Sequence, residues 1–173
     1  DIDQCEDTDP NSAIINSSGC KVNLFYLADN DYSIKAIDDA EIGMSDYILN
    51  KEYTVIGYEE LITKIEEGAD LTSYVTSKIT TMRFMFAGYQ INGDISRWDV
   101  SNVTDMGGTF RETNFNGDIG RWDVSNVTDM SGMFVESTFN QPLTYWDVSN
   151  VTDMSAMFVR SSFNQYIGYW DVS

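Results

Sequence analysis

Histidine is absent from this 173-residue chain, and cysteine and proline appear only twice each. Without histidine there is no imidazole base, no Ser–His or Cys–His nucleophile pair and no histidine ligand for zinc. Two cysteines alone do not make a structural zinc site. Basic residues are scarce: 10 Lys and Arg stand against 28 Asp and Glu, for a net charge of −18. No basic run exists to meet a phosphate backbone or an anionic bilayer surface, which argues against nucleic-acid binding and membrane docking. No apolar run approaches the roughly 20 residues that span a bilayer, so no membrane insertion is expected. Asp1 opens the chain with neither a basic-then-apolar leader nor an initiator Met. A signal peptide is therefore expected to be already removed, and the chain to be processed or excised. What is present is a 42% hydrophobic fraction, enough for a core and too much for a disordered acidic tail.

The four tryptophans, Trp98, Trp122, Trp146 and Trp170, are spaced by 24 residues each time. The phrase WDVSNVTDM follows each of the first three, and WDVS ends the chain. A weaker copy precedes them. Ile79, Met82, Met85, Phe86, Ile91, Asn92 and Ile95 fall in register with Val103, Met106, Thr109, Phe110, Phe115, Asn116 and Ile119. The repeats thus run over 70–173, and a fixed period of this length marks a solenoid. Within a repeat, Ile95, Trp98 and Val100 suggest one short strand. Ser101-Asn102 is turn chemistry, and Val103, Met106 and Phe110 at spacings of three to four suggest a helical or 3₁₀ turn. One parallel strand plus one helical turn in 24 residues places the chain in the α/β repeat, leucine-rich-repeat class.

The phrase WDVSNVTDMSxMF followed by FNxxI resembles the BspA-like leucine-rich-repeat surface proteins of bacteria, over about residues 70–173. The resemblance implies an extracellular or cell-surface adhesion or interaction module, not an enzyme. The opening DIDQCEDTDPNS resembles the end of a thrombospondin type 3 calcium repeat through Asp1, Asp3 and Cys5, which implies calcium at Asp1 and Asp3. It departs from that motif at Glu6, where a proline is expected, and in lacking the upstream aspartates.

Residues 1–20 read as an acidic linker bounded by Cys5 and Cys20, which in an extracellular chain are expected to pair. Residues 21–69 do not follow the repeat and read as an α+β cap for the first coil. Asn23–Leu27 and Tyr32–Ile37 suggest a hairpin around 28–31, and Lys51–Ile56 a third strand. Tyr58–Glu67 suggests a helix with Leu61, Ile62 and Ile65 on one face and Gly68 as its stop.

The Trp, Val, Met and Phe columns read as core: seven of the eight Met recur inside the repeats, which is packing, not a cofactor site. The column Asn92, Asn116, Asn140, Asn164 reads as a backbone-bonding ladder. Asn102, Asn126 and Asn150 each start an Asn-Val-Thr triplet, but three glycans at strand spacing, about 5 Å, would collide, leaving Asn16 the better acceptor. If Trp sits inward on a strand, its neighbours point outward. Arg97, Asp99, Arg121, Asp123, Tyr145, Asp147, Tyr169 and Asp171 would then line the strand face. They form either a solvated charge strip or a ligand-binding strip of Arg, Tyr and Asp. The column Asp105, Asp129, Asp153 is solvated, or bridged by calcium. The leading functional expectation is a surface module binding protein or glycan. The alternative is a structural spacer or filament subunit associating end to end through open strand edges. A single Thr column gives weak support to ice binding, and carboxylates repeated in every copy argue against one catalytic pair.

Overall fold

A computed structural model describes residues 14–15, 21–28 and 32–172. Cys5, Cys20, Asp1, Asp3 and Asn16 lie outside the described residues. Strands β1 (Ile14–Ile15) and β2 (Lys21–Val22) pair antiparallel, as do β3 (Phe25–Leu27) and β4 (Ile34–Ala36). β5 (Ser45–Ile48) and β6 (Lys51–Val55) form a second hairpin, turned by Leu49 and Asn50 in the left-handed region. β6 then pairs parallel with β7 (Tyr74–Val75). Between them lies α1 (Tyr58–Glu66), which buries Leu61 and Ile65 and ends at Gly68, with φ of 68°. No helix among the described residues is long and apolar enough to cross a membrane.

From residue 76 onward the chain winds as coils of 24 residues, each seated in register on the next. Parallel bridges run Thr81–Asp105–Asp129–Asp153. The amides of Met82, Phe84, Phe86 and Gly88 donate to the carbonyls of Asp105, Gly107, Thr109 and Arg111 at 2.8–3.1 Å. Met106, Gly108, Phe110 and Glu112 repeat the pattern onto the third coil, and Met130, Gly132, Phe134 and Glu136 onto the fourth. The intervening amides close i→i+3 turns, such as Met85 to Met82 and Ala87 to Phe84. Backbone donors thus serve their own turn and the next coil alternately, forming a ribbon of turns.

This arrangement corrects two expectations. Residues 95–100 are not a strand: Trp98 N–H is spent on Ile95 O and Val103 N–H on Val100 O, so the backbone turns there and cannot ladder. Inter-coil pairing sits instead at the Asp105 column and the ribbon after it. Nor is 103–110 a helical turn. Phe84, Gly108, Gly132 and Ala156 have φ of 53–63°, and Gly88, Glu112, Glu136 and Arg160 again have positive φ four residues on. A left-handed residue every fourth position reverses a helix, and L side chains adopt it at a cost of about 1–2 kcal/mol. Glycine at 108 and 132 avoids that cost.

The core is a set of columns. Phe86, Phe110, Phe134 and Phe158 stack face to face at 5.5–5.6 Å, and Phe115, Phe139 and Phe163 at 6.2 Å. Trp98, Trp122 and Trp146 are buried and Trp170 is half-buried. Each indole N–H donates to a carbonyl of the preceding coil, from Leu71 to Leu143, at 3.0–3.3 Å. Two amide ladders reinforce the columns. Asn116 Oδ1 and Asn140 Oδ1 accept the next coil's Asn N–H at 2.8 Å. The Nδ2 atoms of Asn102, Asn126 and Asn150 donate to Ser77, Ser101 and Ser125 carbonyls. The nitrogen a glycan would occupy in each Asn-Val-Thr triplet is therefore in a ladder. Ile56, Leu61 and Ile65 close one end of this core, and a second cluster of Leu24, Phe25, Ile34, Tyr53, Val55 and Val75 lies under the hairpins.

Candidate functional site

The β3–β4 hairpin folds back along the Trp side of the first coils. Ile34 N–H donates to Arg97 O, Ala36 N–H to Ser77 Oγ, and Tyr32 Oη–H to Ser96 Oγ. Arg97 and Arg121 both stack on the Tyr32 ring, at 4.9 and 5.1 Å, and Arg97 also donates to Tyr32 O. Stacked guanidinium–aromatic contacts of this kind stabilise by about 0.5–2 kcal/mol.

The hairpin changes the standing of the predicted strip. Asp99 is only 3% exposed and sits beneath it. Its carboxylate accepts the Ser77 hydroxyl at 2.6 Å and both the amide and the hydroxyl of Ser101, while Lys35 Nζ approaches to 3.7 Å. Asp123 and Asp147 hold the serine two residues on, Ser125 and Ser149, and are exposed. The Trp-Asp-Val-Ser phrase is thus a repeated side-chain-capped turn, a role readable from Asp and Ser at that spacing. The Ser149 hydroxyl and amide hold the Asp147 carboxyl below its ordinary value.

Of the eight predicted residues, Arg97 and Asp99 are built into the joint between hairpin and coils. Arg121, Asp123 and Tyr145 line a groove of about 650 Å³ together with Tyr26, Ser33 and Lys35 of the hairpin. Tyr169, Asp147 and Asp171 continue the strip beyond the groove and are exposed. Tyr145 and Tyr169 are 83% and 75% exposed, and Tyr166 stands edge-on to Tyr169 at 5.2 Å. The hairpin's contributions, Tyr26 and Lys35, were not legible as site residues because the contacts that dock the hairpin, Tyr32 to Ser96 and Lys35 to Ser101, join residues 64 and 66 positions apart in the chain.

The second acidic column lies on the ribbon side. Asp105, Asp129 and Asp153 each accept the amide two residues on at 2.8 Å, and Arg83 bridges Asp105 and Asp129 at 3.3 and 2.8 Å. Burial pushes the Asp129 carboxyl up, but the Ser131 hydroxyl and amide, with Arg83, outweigh it and hold it below the ordinary range. Its contribution is therefore complete above the unfolded value, about 3.9, and is lost as pH falls through the lower folded value. Arg83→Met is expected to raise the Asp129 titration and to start acid unfolding at higher pH, as read by carboxyl NMR and circular dichroism. An unmoved Asp129 titration would remove Arg83 from this role.

No curated protein and no solved structure matches the chain. The family model described as "Mycoplasma protein of unknown function, DUF285" matches residues 58–170, from α1 through the last indole. That span is well over half of the sequence and takes in every coil, so the chain belongs to the DUF285 family.

Proposed function

We propose that this chain is a non-enzymatic interaction module of the BspA-like, leucine-rich-repeat-like solenoid kind, working outside the cell or on its surface. It holds a protein or glycan partner without covalent chemistry. The observation that carries this reading is the groove between the hairpin and the Trp side, continued by the exposed Tyr145 and Tyr169. Tyr presents a large amphipathic ring at small entropic cost, and Lys35 and Arg121 add fixed charge in an otherwise acidic chain. The carboxylates nearest the groove, Asp99 and Asp123, are engaged in turn bonds. That supports a scaffold role for them over an acid–base pair. Calcium at Asp1 and Asp3 and a Cys5–Cys20 disulfide belong to the same extracellular reading. A spacer role is the second reading, favoured by the unbroken ribbon of inter-coil hydrogen bonds.

The test starts with a glycan array and a surface-protein pull-down using the intact chain. The Tyr145→Ala/Tyr169→Ala double variant should then weaken the recovered partner by about tenfold or more while Tm stays nearly constant, because both rings lie in solvent. Unchanged affinity in that variant would overturn the site and favour the spacer reading.

A further inference from the structure

We propose that the groove takes a linear acidic glycan, one carrying carboxylates on successive sugars, as an oligouronate does. This rests on the groove reading above and names its ligand class. A second groove, of about 450 Å³, adjoins the first: Tyr26, Lys35 and Asp99 line both, so the two meet there as one trough. Each part alone falls within the roughly 300–1,000 Å³ of a small-ligand site, so the joined trough has room for a chain of rings. The protein is strongly acidic, yet Lys35, Lys78, Arg97 and Arg121 gather at this joint out of only 10 Lys and Arg. Elsewhere Lys64, Arg83, Arg111 and Arg160 are paired with carboxylates. Here Lys78 Nζ donates to Asp38 O, Arg97 to Tyr32 O, and Lys35 Nζ to Ser101 Oγ. Lys35 has Asp99 at 3.7 Å, but that carboxylate already accepts from Ser77 and Ser101. An ammonium has three donors, so Lys35 and Lys78 keep N–H groups for an anion.

Strand alternation turns Tyr26, Ser33 and Lys35 toward the trough, while Phe25 and Ile34 are buried in the cluster under the hairpins. Tyr26 is 48% exposed and, with Tyr145, offers flat rings to the C–H faces of sugars. An acidic peptide fits less well. The β4 amides that would pair with its strand are spent, Ile34 N–H on Arg97 O and Ala36 N–H on Ser77 Oγ. Two exposed carboxylates, Asp38 and Asp123, also line the trough. Sugar hydroxyls can donate to these while uronate carboxylates meet Lys35, Lys78 and Arg121. Glutamate side chains bring no such donor, and a heavily sulfated chain sets more negative charge against Asp38 and Asp123.

The test is calorimetric titration of the intact chain with an oligogalacturonate, the same oligosaccharide with its carboxyls reduced to alcohols, a sulfated oligosaccharide of equal length, and oligoglutamate. The oligogalacturonate should bind about tenfold or more tighter than each of the others, and its affinity should fall as salt rises. Lys78→Gln and Lys35→Gln, the second keeping a donor for Ser101, should each weaken it about threefold or more. Lys64→Gln, which removes a cation paired with Glu67 on α1, should not. Equal binding of the reduced oligosaccharide, weakened by Tyr145→Ala but not by the lysine variants, would overturn the acidic class and leave the groove reading standing. Equal or tighter binding of the sulfated chain or of oligoglutamate would do the same, as would no binding by any of the four. Oligogalacturonate held equally well by Lys35→Gln, Lys78→Gln and Tyr145→Ala would overturn both the class and the groove.

Discussion

Trp122→Ala is expected to lower the unfolding free energy by about 3–5 kcal/mol. The indole is 2% exposed, tilts against Phe110 at 6.0 Å, and lies between coils on both sides. Its removal opens a cavity that neighbouring coils cannot fill, because their side chains are fixed by the 24-residue register. It also strips Ile95 O of the N–H it receives at 3.1 Å. Trp122→Phe separates the two effects, keeping most of the ring and losing the donor. Trp170→Ala deletes the same phrase position where the column is half-buried and should cost clearly less. Urea unfolding of the three variants reads this gradient. Equal losses at 122 and 170 would mean that the column's contribution is not set by coverage from the next coil.

Asp99→Ala should cost about 2–4 kcal/mol, and Asp123→Ala less than about 1 kcal/mol, although both residues stand at the same place in the phrase. Asp99 collects the Ser77 and Ser101 hydroxyls under the hairpin, so its loss leaves buried hydroxyls without their acceptor and takes away the carboxylate 3.7 Å from Lys35 Nζ, which keeps its bond to Ser101 Oγ. Asp123 caps one exposed turn in water. The Asp99 variant should also loosen the hairpin, seen as faster exchange of the Ile34 and Ala36 amides, which bond to Arg97 O and Ser77 Oγ. Equal effects at 99 and 123 would show that the hairpin does not depend on this network.

Much of the architecture follows from local pattern. The apolar columns are buried because a 24-residue period repeats each side chain's surroundings, and the β3–β4 hairpin and α1 lie where alternation and helical spacing place them. The local course of each coil was not legible. Ile95, Trp98 and Val100 have the apolar spacing of a strand, yet the carboxylate and hydroxyl of Asp99 and Ser101 close a turn there. The Val103, Met106, Phe110 spacing is helical, yet Gly108 marks a left-handed position that breaks a helix. Periodicity reports which side chains face inward, and it does not distinguish a helix from a ribbon of turns with the same facing. The groove was half legible. Arg121, Asp123 and Tyr145 come from the repeat, whereas Tyr26 and Lys35 arrive through a long-range docking that no local pattern encodes.

A partner seated in the groove between hairpin and coils would be located there by NMR titration. The first ligand recovered from the glycan or surface-protein screens is added to the isotope-labelled chain, and amide and side-chain shifts are mapped. Perturbations are expected to concentrate at Tyr26, Lys35, Arg121, Tyr145 and Tyr169; shifts confined to the ribbon side, around Arg83, Asp105 and Asp129, would mean that the groove is not where the partner binds.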